Sequence, residues 1–566
     1  MLRTVVIAFA LAAAAVGPAR AQIVEKALLM PGVGYERQVE FTSHGPVVLN
    51  VVTAPKPDGG LYALRPALSN DAVVATEKLT DIEKRMAGDA TTVGIDADFF
   101  RANPGRPSGM LMRAGALDSA PAVGRSSLGI APDGTLQIAR VAFSGTWQGT
   151  GQRRPLLLNA PPKAGTTTLY TTAWGPETPA EAGVAAALIS PFPPSAPNRV
   201  LTGVVTQVAG AGPVAIPAGA AVLVSRGGQA AHLTAEAPTG ATVSVRLTLT
   251  PDWSGMTGAV GGGPLLVRDG KPVFRADEVF GGSLLNPRTT RGAVGQLRDG
   301  RIVLAVVDGG RSGYSVGMTN FELAQALVRL GAVQAMALGS GAPASLSFDG
   351  ALLSRPASGV ESEISDALLL AYTGVYAPPP AAPVLSPNGD GVDEAQTLSY
   401  RLVRPATVTA TLTGPDRITR TLESGAEPPG THTLAWAGKD DAGAPLPEGS
   451  WRFAVTAVDD QGRTSTAERV FSLNDTLGAL AVGPGGRATF TLARAARVTA
   501  TVATRTGVVV STLLSDELEA GQHTVAWNGR GAGGGRVSPG AYVVHVTAEN
   551  DVGTAELEQS INAPPG

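Results

Sequence analysis

Two carboxylates stand two residues apart in GIDADFF, Gly94 to Phe100, where Asp96 and Asp98 are flanked by apolar residues. Side chains alternate along a strand, so this spacing puts both acids on one face at the end of a strand facing a cleft. Such a pair can divide proton donation and acceptance if its surroundings push the two pKa values apart, or it can cap a turn over an aromatic core. A third acid, Asp308, follows the apolar run Ile302 to Val307 and precedes Gly309. That is where open α/β sheets hold ligands. Arg291 and Arg311 bracket this segment, and a guanidinium fork matches phosphate oxygens; the alternative is a solvated surface charge. Gly261, Gly262 and Gly263 precede Pro264, and their N–H groups can cradle an anion or simply make a tight turn. Ser315 and Tyr314 can donate to a sugar or cap the helix that follows.

Other chemistries are excluded by composition. The chain of 566 residues has no cysteine, which removes disulfides, zinc-thiolate sites, iron-sulfur clusters and thiol nucleophiles together. None of the five histidines, His44, His232, His432, His523 and His545, is four residues from another, as a helical metal site requires. A net charge of -3 with 16% charged residues gives no basic footprint for nucleic acid. No cofactor is expected apart from calcium as a candidate in SPNGDGVDE, where Asn388, Asp390 and Asp393 crowd two glycines; an Asx/Gly turn is the alternative.

The elements that position these residues are mostly short. With 71 Gly and 43 Pro and no collagen-like period, many strands and turns are expected, and 44% hydrophobic residues can fill their cores. Arg3, the apolar run Val5 to Val16 and Ala19-Arg20-Ala21 read as a secretory leader cleaved after Ala21, which places the chain outside the cytoplasm, secreted, periplasmic or on the cell surface. No later apolar run reaches the roughly 18 to 20 residues of a membrane helix. TNFELAQALVRLGA has helical spacing, with Thr319 as N-cap and Gly331 as stop. YAPPPAAPVLSP, from Tyr376, packs five prolines into twelve residues and reads as a boundary, with a linker over 377–383.

Beyond it the sequence repeats. SYRLVRPATVTATL from Ser399 returns as TFTLARAARVTATV from Thr489, GTHTLAWAGK from Gly430 as GQHTVAWNGR from Gly521, and GSWRFAVTAVDDQG from Gly449 as GAYVVHVTAENDVG from Gly540. The constant offset predicts two similar antiparallel β-sandwiches, at 384–474 and 475–561, with Trp436 and Trp527 plugging the cores. His432 and His523 occupy equivalent places, which favours a strand role over a ligand role. These blocks resemble the immunoglobulin-like domain of flagellar hook-capping (FlgD) proteins, which implies spacing, assembly or cell-surface attachment.

Residues 22–376 resemble the phosphodiester glycosidase family, whose members include the uncovering enzyme. The resemblance rests on PGVGYERQVEF from Pro31, on GIDADFF against the family's G-I-N-G-x-F-F, on GGGPLLV, and on the run Arg291 to Leu327. It implies hydrolysis of a sugar from a phosphodiester, with Asp96, Asp98, Asp308 and Glu361 as acid/base candidates. It implies Arg291, Arg311, Ser315, Arg355 and the three glycines as substrate contacts. The fold expected is multidomain, a mixed α/β N-terminal domain followed by two sandwiches.

The chain departs from the family pattern at several places. Asp96 stands where the family has Asn. After MAL, where the family has L-D-G-G-G-S, the chain reads LGSGAPAS, so that Gly339 replaces the family acid. Arg355, Pro356 and Glu361 remain, whereas Ser362 replaces an Arg. Two readings follow: an exported phosphodiester glycosidase acting on a sugar-phosphate or glycosidic linkage of a surface or extracellular glycan, or a cell-envelope protein that binds such a glycan without turnover.

Overall fold

The computed structural model describes residues 22–564 apart from 104, 162, 181–183, 211, 274–276 and 390. The leader read over 1–21 and the calcium candidate Asp390 therefore lie outside the described residues. The chain folds as two compact units, one ending at Tyr372 and the other running from Thr373.

The expected mixed α/β N-terminal domain is overturned. Strands account for 53% of the chain and helices for 7%, and the first unit is mostly β. Its longest helix, Asn320–Arg329, has ten residues. The reason lies in Ile302–Val307, which is apolar at every position and buried throughout. A parallel strand covered by helices on both faces has that pattern. Here it is instead a central strand of an eight-stranded sheet, paired antiparallel with Gly45–Ala54 on one side and Arg291–Leu297 on the other. Val303, Ala305 and Val307 pack on one side with Leu323, Ala324 and Leu327 of the helix. That helix begins as expected: Thr319 is its N-cap and forms a capping box with Glu322.

Two further sheets bring the candidate residues in. Thr91–Asp96 is buried at every position and lies between Leu346–Phe348 and Asp366–Tyr372. Gly258–Gly261 lies between Leu111–Arg113 and Ser126–Ile130. A closed seven-stranded barrel runs from Ala142–Gln148 to Thr242–Thr250, and Trp147 and Trp253 belong to the core that fills it. No helix among the described residues is long and apolar enough to cross a membrane.

In the second unit the two repeats form two separate sets of sheets, antiparallel apart from the short edge strand Val384–Leu385, with two cores, one around Trp436 and Trp451 and the other around Trp527. The proline-rich stretch is bonded along its length to the first of them. Tyr376 exchanges backbone bonds with Arg401, Ala382 donates to Gln396, and Val384–Leu385 pairs with the strand Thr464–Leu473. In SPNGDGVDE, Asn388 donates to Ser386 Oγ and Glu394 accepts from Gly391 N–H, so the loop uses these side chains to close its own turn.

One buried acid contributes to pH stability outside the candidate site. Glu83, in the helix Leu79–Met86, is 1% exposed and accepts from Gly350 N–H and more distantly from Thr92 Oγ1. Burial pushes it up from 4.5 to about 8. A raised folded-state value means that its contribution is fully present below about 4.5 and is lost as pH rises through about 8. Glu83→Gln should therefore flatten the stability profile across that window, gaining several kcal/mol over the parent at its alkaline end. Urea denaturation at each end tests this, and a variant that loses stability as steeply as the parent would refute it.

Candidate active site

Antiparallel pairing sets Asp96 opposite Ala367, which brings the first residue of the strand Asp366–Tyr372 alongside the end of Thr91–Asp96. Asp366 Oδ2 accepts from Asp98 N–H at 3.2 Å and Oδ1 from Ser365 Oγ at 2.7 Å. Three carboxyl groups, those of Asp96, Asp98 and Asp366, thus share one buried corner, each 1% exposed or less. A single guanidinium answers them. Arg125 Nη2 reaches Asp98 Oδ1 at 2.5 Å and the Gly262 carbonyl at 2.9 Å, and its guanidinium carbon lies 4.8 and 5.0 Å from the ring centroids of Phe99 and Phe280, which are themselves 5.6 Å apart. Contact with this ring pair keeps a weakly hydrated cation in an otherwise apolar wall.

The electrostatics follow from this imbalance. Burial raises Asp98, and Arg125 opposes that rise. Burial and then the Asp98 charge raise Asp366. Asp96 is raised furthest above the usual carboxylate range, by burial and then by Asp366 and Asp98, and neither of its oxygens has a hydrogen-bond partner. Two acidic neighbours and the absence of a donor both favour its neutral form over its anion.

Glycine makes room for this corner. A Cβ on Gly109 or Gly261 would come within 2.8 or 2.5 Å of Asp98 Oδ2. On Gly339 it would overlap Asp96 Oδ2 itself. In the conformation Asp96 takes here there is no room for a side chain at 339; the family pattern has Asn and Asp at these two positions, and this chain has Asp and Gly. A carboxyl group thus lies in this corner from position 96, with none at 339. The other glycines serve the backbone. Gly261 N–H donates to Met110 O and Gly263 N–H to Ala337 O, which removes two of the three N–H groups from any anion nest.

Arg291 is likewise turned inward. It is 2% exposed, and its guanidinium donates to the carbonyls of Met318, Leu284, Leu285 and Pro287 and to Asn320 Oδ1. The residue type pointed to phosphate; the carbonyls that occupy it come from segments whose convergence the sequence does not display.

Asp308 forms a second polar centre. It is 1% exposed, accepts from Tyr314 OH at 2.9 Å and Arg355 N–H at 3.0 Å, and burial raises its pKa. Ser315 is fully buried, donating to the Asp308 carbonyl and accepting from Val48 N–H. The exposed Arg355 lies over the Tyr314 ring at 5.0 Å, and Arg311 Nε donates to Ala357 O. Arg291–Leu297 runs between the Asp308 strand and Ala332–Ser340, so Asp308 and Gly339 lie at one edge of the same sheet, two strand spacings or about 10 Å apart. Glu361 is elsewhere: both its oxygens bond Thr80, at its N–H and its Oγ1, at the start of the helix Leu79–Met86.

Sequence reasoning missed Asp366, Arg125, Tyr35 and Asn50. Asp366 has the same signature as Asp308, an acid abutting an apolar strand, and could have been found by it. Tyr35 donates to Asn50 Oδ1 at 2.9 Å beside Asp308; it lies in the block PGVGYERQVEF, which by itself gave it no role, and Asn50 lies in none of the blocks singled out.

Comparison with known proteins agrees with this layout. Residues 198–371 match the family model described as Phosphodiester glycosidase, and 388–461 and 479–551 each match that of the FlgD Ig-like domain. The chain carries a phosphodiester glycosidase domain followed by two FlgD Ig-like domains. A stretch of 107 residues is 31% identical to the SPbeta prophage-derived uncharacterized protein YomE of Bacillus subtilis (strain 168), covering 19% of this chain and 16% of that protein. Another of 76 residues is 42% identical to the basal-body rod modification protein FlgD of Salmonella typhimurium, covering 12% of this chain and 33% of that one. The chain thus spans well under two thirds of either relative. The crystal structure of a hypothetical protein from Synechocystis aligns with a TM-score of 0.51 at 26% identity, over 60% of this chain and 62% of that one. The segment matched to the phosphodiester glycosidase family contains Gly261, Arg291, Asp308, Gly339 and Asp366, whereas Asp96, Asp98 and Arg125 come from strands before it.

Arg291→Ala should destabilise the phosphodiester glycosidase domain by roughly 3 to 5 kcal/mol, because it strands buried carbonyls that one cation now serves. Denaturant unfolding measures this. Parental stability in the variant would show that the cation is not needed to hold these segments.

Proposed function

We propose that the first unit hydrolyses the glycosidic bond of a glycosyl phosphodiester or a closely related glycoside, with Asp96 as the proton donor. The observation that carries this is Asp96 itself, a fully buried carboxyl with no internal hydrogen-bond partner and two acidic neighbours. A proton held without an internal acceptor can pass to a substrate oxygen when one enters. Asp98, with its charge held by Arg125 and by the Phe99 N–H, supplies the second carboxylate that glycoside hydrolysis uses at the anomeric carbon. Asp366 keeps Asp96 protonated. Arg355 and Tyr314, at the rim beside Asp308, suit the phosphate.

A groove of about 830 Å³, lined in part by Pro264, Phe280, Asn320 and Phe321, adjoins the wall that holds Arg125 and is of a size for a sugar chain. The reading of the chain as an anion binder without turnover loses support, since Arg291 and two of the three glycine N–H groups are consumed internally. The substrate belongs outside the cytoplasm on this reading, in keeping with the leader and with the two FlgD Ig-like domains.

Asp96→Asn tests the proposal. On a panel of α- and β-linked glycosyl phosphodiesters and aryl glycosides, kcat should fall at least about 100-fold with KM little changed. Activity of the parent should decline as pH rises through the raised pKa of Asp96, because only the protonated form donates. The variant should also be at least as stable at neutral pH, since an amide removes the cost of keeping a buried acid protonated. Parental turnover in the variant would remove Asp96 from the chemistry, and an inert parent across the panel would overturn the hydrolytic reading.

A further inference from the structure

The two FlgD Ig-like domains serve as controls for each other. His432, in the strand Gly430–Trp436, pairs with Tyr400; His523, in Gly521–Ala526, pairs with Phe490. In both, ring Nε2 faces a backbone carbonyl, Pro428 O at 3.0 Å in the first and Glu519 O at 2.8 Å in the second. A carbonyl only accepts, so Nε2 carries a proton, and in the neutral ring Nδ1 presents the lone pair. The fold makes this arrangement twice.

What faces Nδ1 differs between the two. On the hairpin strand before the histidine, Ala406 and Ala410 pair with Glu427 and Glu423, whereas Ala496 and Ala500 pair with Leu518 and Leu514. Two acids thus stand where the sister domain has two leucines, and the sandwich evidently folds without acids there. Glu427 Oε2 is 3.4 Å from His432 Nδ1, and one ligand atom from each of Glu423, Glu427 and His432 can be chosen so that all lie within 4.8 Å of one another. Tyr400 OH donates to Glu423 Oε2 at 2.6 Å, and its ring stacks on the imidazole at 4.9 Å. Three acceptors converge on one half-exposed spot.

We propose that Glu423, Glu427 and His432 bind a divalent transition-metal ion, with zinc as the reference case, one per chain. Zinc bonds of about 2.0 to 2.2 Å at tetrahedral angles hold ligand atoms about 3.4 Å apart, which is the His432–Glu427 separation. Glu423 completes the set by a small side-chain rotation, and solvent fills the fourth position. The outer contacts are those a metal centre needs: the second ring N–H of the histidine bonds a carbonyl, and Tyr400 OH orients Glu423. An imidazole among the ligands selects zinc, copper, nickel or cobalt over calcium. The ion would tie the strand Thr419–Glu427 of one sheet to Gly430–Trp436 of the other, across the Pro428-Pro429 turn.

The test uses the full chain, stripped with a chelator and titrated with zinc chloride by calorimetry, with bound metal counted by elemental analysis. The parent should take up one zinc per chain, and a Glu423→Leu/Glu427→Leu variant none. That variant copies the sister domain at both positions, and its fold is checked by circular dichroism. Absence of zinc, copper, nickel and cobalt binding to the parent would overturn the proposal, leaving the trio as a protonated histidine between acids. Undiminished zinc uptake by the folded variant would also overturn it by placing the metal elsewhere. If the double variant does not fold, His432→Gln provides the same test, since it keeps a donor toward Pro428 O and removes the ring nitrogen.

Discussion

The first unit is organised around a charge imbalance in a place that water does not reach. Asp96, Asp98 and Asp366 end neighbouring strands in the core, and Arg125 is the one guanidinium bonded to them among the described residues. Several kcal/mol oppose the burial of each ionised carboxylate, and one cation cannot offset three. Pairing cannot resolve the imbalance, which favours the neutral form of an acid, and of the three Asp96 is pushed furthest that way because it has no donor to stabilise its anion. The surrounding sequence serves that outcome. Gly109 and Gly261 keep backbone close against Asp98, and Phe99 and Phe280 keep water from Arg125. Gly262 gives its carbonyl to the same cation.

The contact between Asp96 and Gly339 changes the meaning of LGSGAPAS. Read along the chain, Gly339 is a missing acid and the motif has decayed. Across the contact, the Asp96 carboxyl lies where the first side-chain atom of residue 339 would stand, so a carboxyl group is present at this spot although position 339 carries none. From position 96 it sits against Asp366 and Asp98 in full burial, and that raises its pKa. A residue-by-residue comparison with a family motif records the glycine and the aspartate separately and has no means of joining them.

Much of the architecture was legible, for identifiable reasons. The repeat, the tryptophan plugs, the Thr319 cap and the strand Thr91–Asp96 were readable because each is a local pattern with a local cause. The α/β reading of the first unit failed because an apolar run such as Ile302–Val307 reports burial on both faces and is silent on the direction of the neighbouring strands. Asp96 and Asp98 were marked by their spacing together with the block GIDADFF, and the two carboxyl groups do share one buried corner. Arg125 was not, since it lies in a stretch without a recognisable motif and reaches Asp98 only through the pairing of Ser126–Ile130 with Gly258–Gly261. Arg291 shows the converse error, a residue type suited to anions whose every visible contact is a neutral oxygen.

The histidines of the second unit expose the same weakness in reasoning from repetition. His432 and His523 are equivalent in register, in tautomer and in their carbonyl partners, and equivalence argued for a shared structural role. That argument holds for the part of each ring that faces the backbone. The other nitrogen is governed by the neighbouring strand, where Glu423 and Glu427 stand opposite alanines as Leu514 and Leu518 do in the sister domain. Repetition therefore fixes which atoms are presented, and the strand beside it decides what they meet. In both units what surrounds the residue that draws attention is set on the far side of a contact, by Gly339 facing Asp96 and by the glutamates facing His432.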